Sequence, residues 1–330
     1  MTGSYNIEIR YRNLVYKLSI KRNINIICGN SATGKTNMIE LIRLQNVQGR
    51  DSGVEIRCDK PCVVLEGSLK VVQTMVSINP GSIFFMDEGG TALMKTSEFT
   101  EIIKNADGYF VLVTRERLSN LPYSIHAIYY LNHESKYNEY KQKVIVNTLY
   151  NKYISRKISN IIIPNVFLTE DSQAGFQFFK KFLEKRECSC IPANGKSNIP
   201  IILRSRKDIK EVILVMVDGA AFGPEFEGTL AVINGKKYCN IIVLAYESFE
   251  YLLLKSGIVP CHDMRILDYT EDVAESTKYL SWERFFTEYV QQSCSCINRV
   301  YTKSKISDWC ITEGNIKKMQ EELPQNIQFV

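Results

Sequence analysis

The apolar run Ile24–Cys28 (INIIC) leads directly into Gly29, Asn30, Ser31, Ala32, Thr33, Gly34, Lys35 and Thr36, and then into TNMIELIRL at residues 36–44. Five consecutive apolar or small residues ended by glycine read as a short strand buried on both faces. Apolar residues at 38, 39, 41, 42 and 44 suit a helix with one buried side. A buried strand joined to a helix by a tight glycine-containing turn belongs to parallel α/β architecture, because a strand covered on both faces needs helices above and below it.

The turn also carries chemistry. Its pattern is G-x-x-x-x-G-K-[ST], placed between a strand and a helix as a phosphate-binding loop requires. Backbone N–H groups of such a loop turn inward around a β-phosphate, and the following helix adds its positive dipole end. Gly34 permits close approach, Lys35 brings a charge to the β/γ-phosphates, and the Thr36 hydroxyl suits Mg²⁺. ATP with Mg²⁺ is therefore the expected cofactor pair. A second buried strand, Ser82–Met86, ends in Asp87 and Glu88. Asp87 suits the Mg²⁺ through water, and Glu88 suits activation of an attacking water as a catalytic base. A third strand at 109–114 ends in Thr114 and Arg115, placed either to sense a γ-phosphate or as solvated surface residues. The amphipathic stretch 98–105 reads as the helix between these strands, which again predicts a parallel α/β sheet.

This opening resembles the ABC-type ATPase heads found in recombination proteins and in overcoming-lysogenization-defect nucleases. The resemblance rests on strands Tyr5–Tyr11 and Leu14–Ile20 before the loop, and on the run from Gly29 through Thr36 to Asn37-Met-Ile-Glu40. Departures accompany it. Only 52 residues separate Lys35 from Asp87, too few for the usual helical lobe, and neither a Leu-Ser-Gly-Gly signature nor a switch histidine follows. The resemblance implies a reduced head that binds nucleotide and turns it over slowly.

After a Lys-, Tyr- and Asn-rich stretch at 134–160, read as a connector, a pair of surface strands or a helix, the α/β rhythm restarts. Strands are expected at 165–169, 212–217 and 240–244, with a helix at 174–185. The expected division is 1–155 for a nucleotide-binding domain and 156–330 for a second α/β domain with a helical tail whose residues show no legible chemistry. Acids follow these strands: Glu170 and Asp171, then Asp218, then Glu247 and Glu250. In an open α/β sheet the carboxyl ends of strands converge on one crevice, where carboxylates hold hard divalent ions. Acids capping helix starts in solvent explain the same pattern.

The order resembles the Toprim fold of topoisomerases, primases and the nuclease half of overcoming-lysogenization-defect proteins, over roughly 165–255. That resemblance implies Glu170 and Asp218 as catalytic Mg²⁺ ligands acting on a phosphodiester, with Glu247 or Glu250 supplying a further carboxylate and Lys196 a phosphate contact. The family's second aspartate falls on Ala220, and its glycine after the glutamate falls on Asp171. The expected function is an ATP-binding protein whose nucleotide state regulates a Mg²⁺-dependent, Toprim-like nucleic-acid phosphodiesterase in phage defence or DNA processing. The alternatives are a nucleotide-gated interaction module with an inactive second domain, and a small-molecule kinase.

Composition narrows the remaining classes. The 330 residues carry 41 Lys+Arg against 36 Asp+Glu, a net charge of +5, so any nucleic-acid contact is expected as a local patch. No apolar run approaches the ~18 residues of a membrane span, and the N-terminal residues lack a secretory pattern, which predicts a cytoplasmic protein without membrane contact. The ten cysteines are scattered among strand-like segments, which favours reduced thiols. The pairs 188/190 and 294/296 have the wrong spacing for a structural zinc. A homo-oligomer or a protein partner is expected.

Overall fold

The structure is a computed structural model, and it describes residues 1–29, 34–134, 142–157, 160–206, 211–235 and 240–330. It is an α/β protein of two compact units: residues 1–151 with 271–280, and residues 152–270 with 281–330.

The first unit is built on a nine-stranded mixed sheet. Its strands are β1 (Tyr5–Tyr11), β2 (Leu14–Ile20), β3 (Ile24–Cys28), β4 (Glu55–Arg57), β5 (Cys62–Val64), β6 (Ser82–Met86), β7 (Gly108–Val113), β8 (Ile128–Glu134) and β9 (Gln142–Thr148), in the order β4-β1-β2-β9-β8-β3-β7-β6-β5. Strands β3, β6 and β7 are buried along their whole length, as continuous apolar runs demand. Strand β7 lies between β3 and β6, parallel to both, with Ile27 opposite Val113 and Leu112 opposite Met86. This register brings the carboxyl ends of the three strands to one edge. The stretch 134–160, read from sequence as a connector, a pair of surface strands or a helix, holds strand β9 and helix Leu149–Lys157; β9 is an interior strand, parallel to β2 and antiparallel to β8. Only one of its side chains among the described residues is fully buried, Val144, so its strand signal is weak in sequence.

Residues 271–280, expected in the tail of the second domain, pack with the first unit. The Gly3 N–H donates to the Glu271 carbonyl at 2.7 Å, and the buried Asn23 amide donates to the Leu280 carbonyl at 3.1 Å. Both bonds are accepted by main-chain carbonyls of 271–280, which leave no side-chain pattern in the sequence.

The second unit carries a four-stranded, all-parallel sheet of β10 (Val166–Thr169), β11 (Ser189–Pro192), β12 (Val212–Asp218) and β13 (Asn240–Tyr246), ordered β11-β10-β12-β13. Strand order reverses at β10, so a crevice opens beyond the carboxyl ends of β10 and β12. Helix Ala174–Phe182 covers the sheet with Phe178, Phe179 and Phe182, and Phe179 stacks on Phe167 of β10 at 4.7 Å. The helix stops three residues short of the expected 185, where Arg186 folds back to donate to the Phe182 carbonyl.

The core of the first unit depends on aromatic packing around β7. Phe110 is fully buried between Phe84, at 5.1 Å, and Phe99, at 6.3 Å and nearly perpendicular. Truncating it leaves a cavity that rigid strands cannot collapse. Phe110→Ala is expected to cost about 3–5 kcal/mol in urea denaturation.

Candidate functional site

Two sites follow from the strand ends, one in each unit. In the first, Gly34 takes φ +85° at the start of helix Lys35–Gln48, and its carbonyl accepts from the Tyr16 hydroxyl at 3.0 Å. The Asn37 amide donates to the same hydroxyl at 3.0 Å, so one tyrosine of β2 ties down both sides of the loop exit. Among the described residues the helix has no side-chain cap and no acid in its first turn, so its positive dipole end faces the loop.

Lys35 is only 4% exposed, and its ammonium donates to the Gly29 carbonyl at 2.7 Å across the base of the loop. It also lies 3.7 Å from Glu88 Oε1, beyond the end of β6. Arg115, beyond the end of β7, donates from Nε to the same carboxylate oxygen at 3.0 Å. The structure therefore brings together Lys35, Glu88 and Arg115. Arg115 is both exposed at the strand end and an ion-pair partner of Glu88. Thr114 is buried and turns back to accept from the Glu116 N–H at 2.9 Å. Asp87 Oδ1 accepts the Glu88 N–H at 2.8 Å, fixing the turn after β6. Thr36 is exposed at the helix start. Asn30, Ser31, Ala32 and Thr33 lie outside the described residues. A helix start with no acid in its first turn, a buried lysine beside it and carboxylates from a strand two places away fit a nucleotide phosphate with its Mg²⁺, for which Thr36 and Asp87 are the available oxygen donors.

The second site lies at the strand-order reversal, around a cavity of about 40 Å³ lined by Glu170, Asp218, Phe249, Glu250, Tyr301 and Lys303 among others. Glu170 Oε2 accepts the Asp218 N–H at 3.2 Å, which joins the ends of β10 and β12. Asp218 Oδ1 accepts the Phe249 N–H at 3.1 Å at the start of helix Phe249–Lys255. Gly175 lets that region approach closely, since a Cβ there would stand 3.3 Å from the Phe249 ring. Glu250 is 1% exposed; its Oε1 accepts from the Tyr301 hydroxyl at 2.9 Å, and its Oε2 has no hydrogen-bond partner.

Burial, reinforced by the Glu283 carboxylate, pushes the Glu170 carboxyl up to about 7, against the pull of the Asp218 N–H and Lys196. Asp218 is pushed well above the ordinary carboxylate range by burial and then by Glu283 and Glu170, with Lys303 opposing. Burial acts to lower Lys303, yet Asp218, Glu250 and Glu283 hold it above its usual value. Lys303 Nζ is 3.9 Å from Asp218 Oδ2 and hydrogen-bonds Glu283.

Several sequence expectations change here. Lys196, expected to contact a phosphate, donates to the Ala221 carbonyl at 2.7 Å and lies 3.7 Å from Glu225. Asp171 accepts the Gln173 N–H at 2.9 Å and shapes the turn into helix Ala174–Phe182. Ala220, where the Toprim pattern has its second aspartate, is 2% exposed and tied by its N–H to the Glu247 carbonyl at 3.1 Å. Among the described residues, no three His, Cys, Asp or Glu side chains are arranged to hold a metal ion. The crevice thus does not fit a divalent cation as it stands: a lysine ammonium lies against Asp218 and Glu283. Tyr301, Lys303 and Glu283 come from the tail whose chemistry was illegible in sequence, and no local signal would have placed them in this crevice. A scan against protein-family models and a search of curated proteins each return no match.

Two outcomes are expected. A Cβ on Gly34 would stand 2.9 Å from the Tyr16 hydroxyl at a φ that L side chains resist, so Gly34→Ala should lower the thermal midpoint, with Tyr16→Phe partly relieving the clash. For Glu170, a folded pKa of about 7 against an ordinary 4.5 means that the folded state holds the proton over that interval. Its stabilising effect is therefore complete below about pH 4.5 and is lost as pH rises through about 7. Urea denaturation at about pH 5 and about pH 8 should show a smaller loss of stability with pH in Glu170→Gln than in the parent.

Proposed function

We propose that this chain binds ATP with Mg²⁺ at the loop of its first unit, in the manner of a reduced ABC-type head, and that nucleotide state governs a Toprim-like second unit. The observation that carries the nucleotide reading is Lys35, buried at the start of helix Lys35–Gln48 and paired with Glu88 from a strand two places away in the sheet. A buried ammonium at the positive end of a helix dipole suits a polyanion, with Glu88 as one of its partners within the chain. Mg²⁺ would supply charge neutralisation of the phosphates, with Thr36 and Asp87 as its holders. Once Lys35 and Arg115 turn towards phosphate, Glu88 is released to orient a water, which makes slow ATP hydrolysis the expected reaction.

For the second unit the geometry favours a nucleotide-gated interaction module acting on nucleic acid or a protein partner, in keeping with phage defence or DNA processing. Lys303 in the acid crevice and the buried Ala220 both support a non-cleaving role. The unpartnered Glu250 Oε2 favours the second reading, a metal-dependent phosphodiesterase. Nicking of DNA or RNA that needs Mg²⁺ or Mn²⁺ and disappears in both Glu170→Ala and Asp218→Ala would establish that second reading.

Calorimetric titration tests the nucleotide site. A charge-assisted bond contributes about 1.5–3 kcal/mol, so Lys35→Ala should weaken ATP binding by about 10- to 100-fold or more. Glu88→Gln should retain binding and slow turnover. Undiminished affinity in Lys35→Ala would refute the assignment.

A further inference from the structure

We propose that Lys303 is the resident cation of the second unit's crevice, its ammonium standing among Asp218, Glu283 and Glu250 where a Toprim-like site would hold a divalent ion, and that it thereby excludes such ions. The inference rests on the Toprim-like reading of the crevice and is independent of nucleotide binding by the first unit.

The position of Lys303 is built rather than incidental. Its own carbonyl accepts the Ala174 N–H at 3.0 Å, at the start of the helix that covers the sheet. One residue on, the Ser304 carbonyl accepts from the Gln177 amide at 3.1 Å, and the Ile306 N–H donates back to Gln177 Oε1 at 3.0 Å. Two residues before it, the Tyr301 hydroxyl reaches Glu250 Oε1. Residues 301–306 thus form a strap clamped to helix Ala174–Phe182 and to the floor of the cavity, and Lys303 projects from it onto Asp218 and Glu283.

A cation on a clamped strap acts at a high effective concentration, which a free ion must overcome to take its place. The crevice is also one carboxylate short, because residue 220 is a buried alanine. Lys303 lies 3.9 Å from Asp218 Oδ2 and hydrogen-bonds Glu283, so one fixed ammonium already offsets the acids it stands among. A cavity of about 40 Å³ already lies beside the ammonium, lined by Asp218, Glu250 and Lys303, and the buried Glu250 Oε2 has no hydrogen-bond partner among the described residues; removing the ammonium enlarges this space and leaves the acids without their cation. That is an environment a divalent ion stabilises.

The test uses the full chain, stripped with EDTA and free of nucleotide, titrated with Mn²⁺ alone. Thermal denaturation and loss of the aqueous Mn²⁺ paramagnetic resonance signal are the readouts. The parent protein is expected to show no Mn²⁺-dependent rise in Tm. Lys303→Met should bind Mn²⁺ at least about tenfold more tightly with a rise in Tm, and adding Asp218→Asn should abolish that gain. Equal affinity in parent and variant, or a folded Lys303→Met that gains no Mn²⁺ binding, would overturn the proposal. Should Lys303→Met not fold, the parent decides: a Mn²⁺-induced rise in Tm that Asp218→Asn removes overturns it, and no rise in either supports it. Both results leave the ATP assignment of the Lys35 loop standing, since no nucleotide enters the measurement.

Discussion

Parallel pairing of short apolar strands is the constraint from which both sites arise. Strands in parallel register all end at the same edge of their sheet, and whatever polar residues follow them are delivered to one place. In the first unit the register of β3, β7 and β6 brings Gly29, Arg115 and Glu88 to neighbouring positions, although 86 residues separate Gly29 from Arg115. In the second, the reversal of strand order at β10 opens a crevice with Glu170 on one wall and Asp218 on the other. Strands buried on both faces cannot carry these charges within their length, so the charges fall at the ends.

The two sites solve the same electrostatic problem in different ways. A buried charge must be paired or given up, because desolvation costs more than a poor partner returns. At the loop, the charges named come in pairs: Lys35 sits at the positive end of a helix that has no acid in its first turn, and Glu88 shares its carboxylate between Lys35 and Arg115. At the crevice, the excess is negative, and the chain supplies its own remedy through Lys303, while burial shifts the Glu170 and Asp218 carboxyls upward. Such a site gains less from an added cation than its acids alone suggest.

Much of the local structure was legible because single features sufficed. Strands β1, β2, β3 and β6 lie where apolar alternation or continuous apolar runs put them. Glycine and Lys-Thr after β3 marked the loop, and Asp87-Glu88 after β6 marked the partner acids. What stayed open in the sequence shares a cause. The stretch 134–160 reads equally as connector, surface strands or helix because β9 is buried only in part among the described residues. The Ala221 carbonyl and Glu225 come to Lys196 only through the fold.

What the sequence by itself determined is the set of elements and the residues at their ends: α/β layering, a Gly34-Lys35-Thr36 turn into a helix, and acids after strands. Hydrophobic periodicity and glycine act over a few residues, so they leave a readable local trace. What only the tertiary structure decided is the partner of each charge. That Lys35 meets Glu88, that residue 220 is buried, and that Lys303 reaches Asp218 from 85 residues along the chain depend on strand order and on a clamped strap. Charge pairing in a folded interior is set by distance in space, and distance along the chain carries almost none of that information.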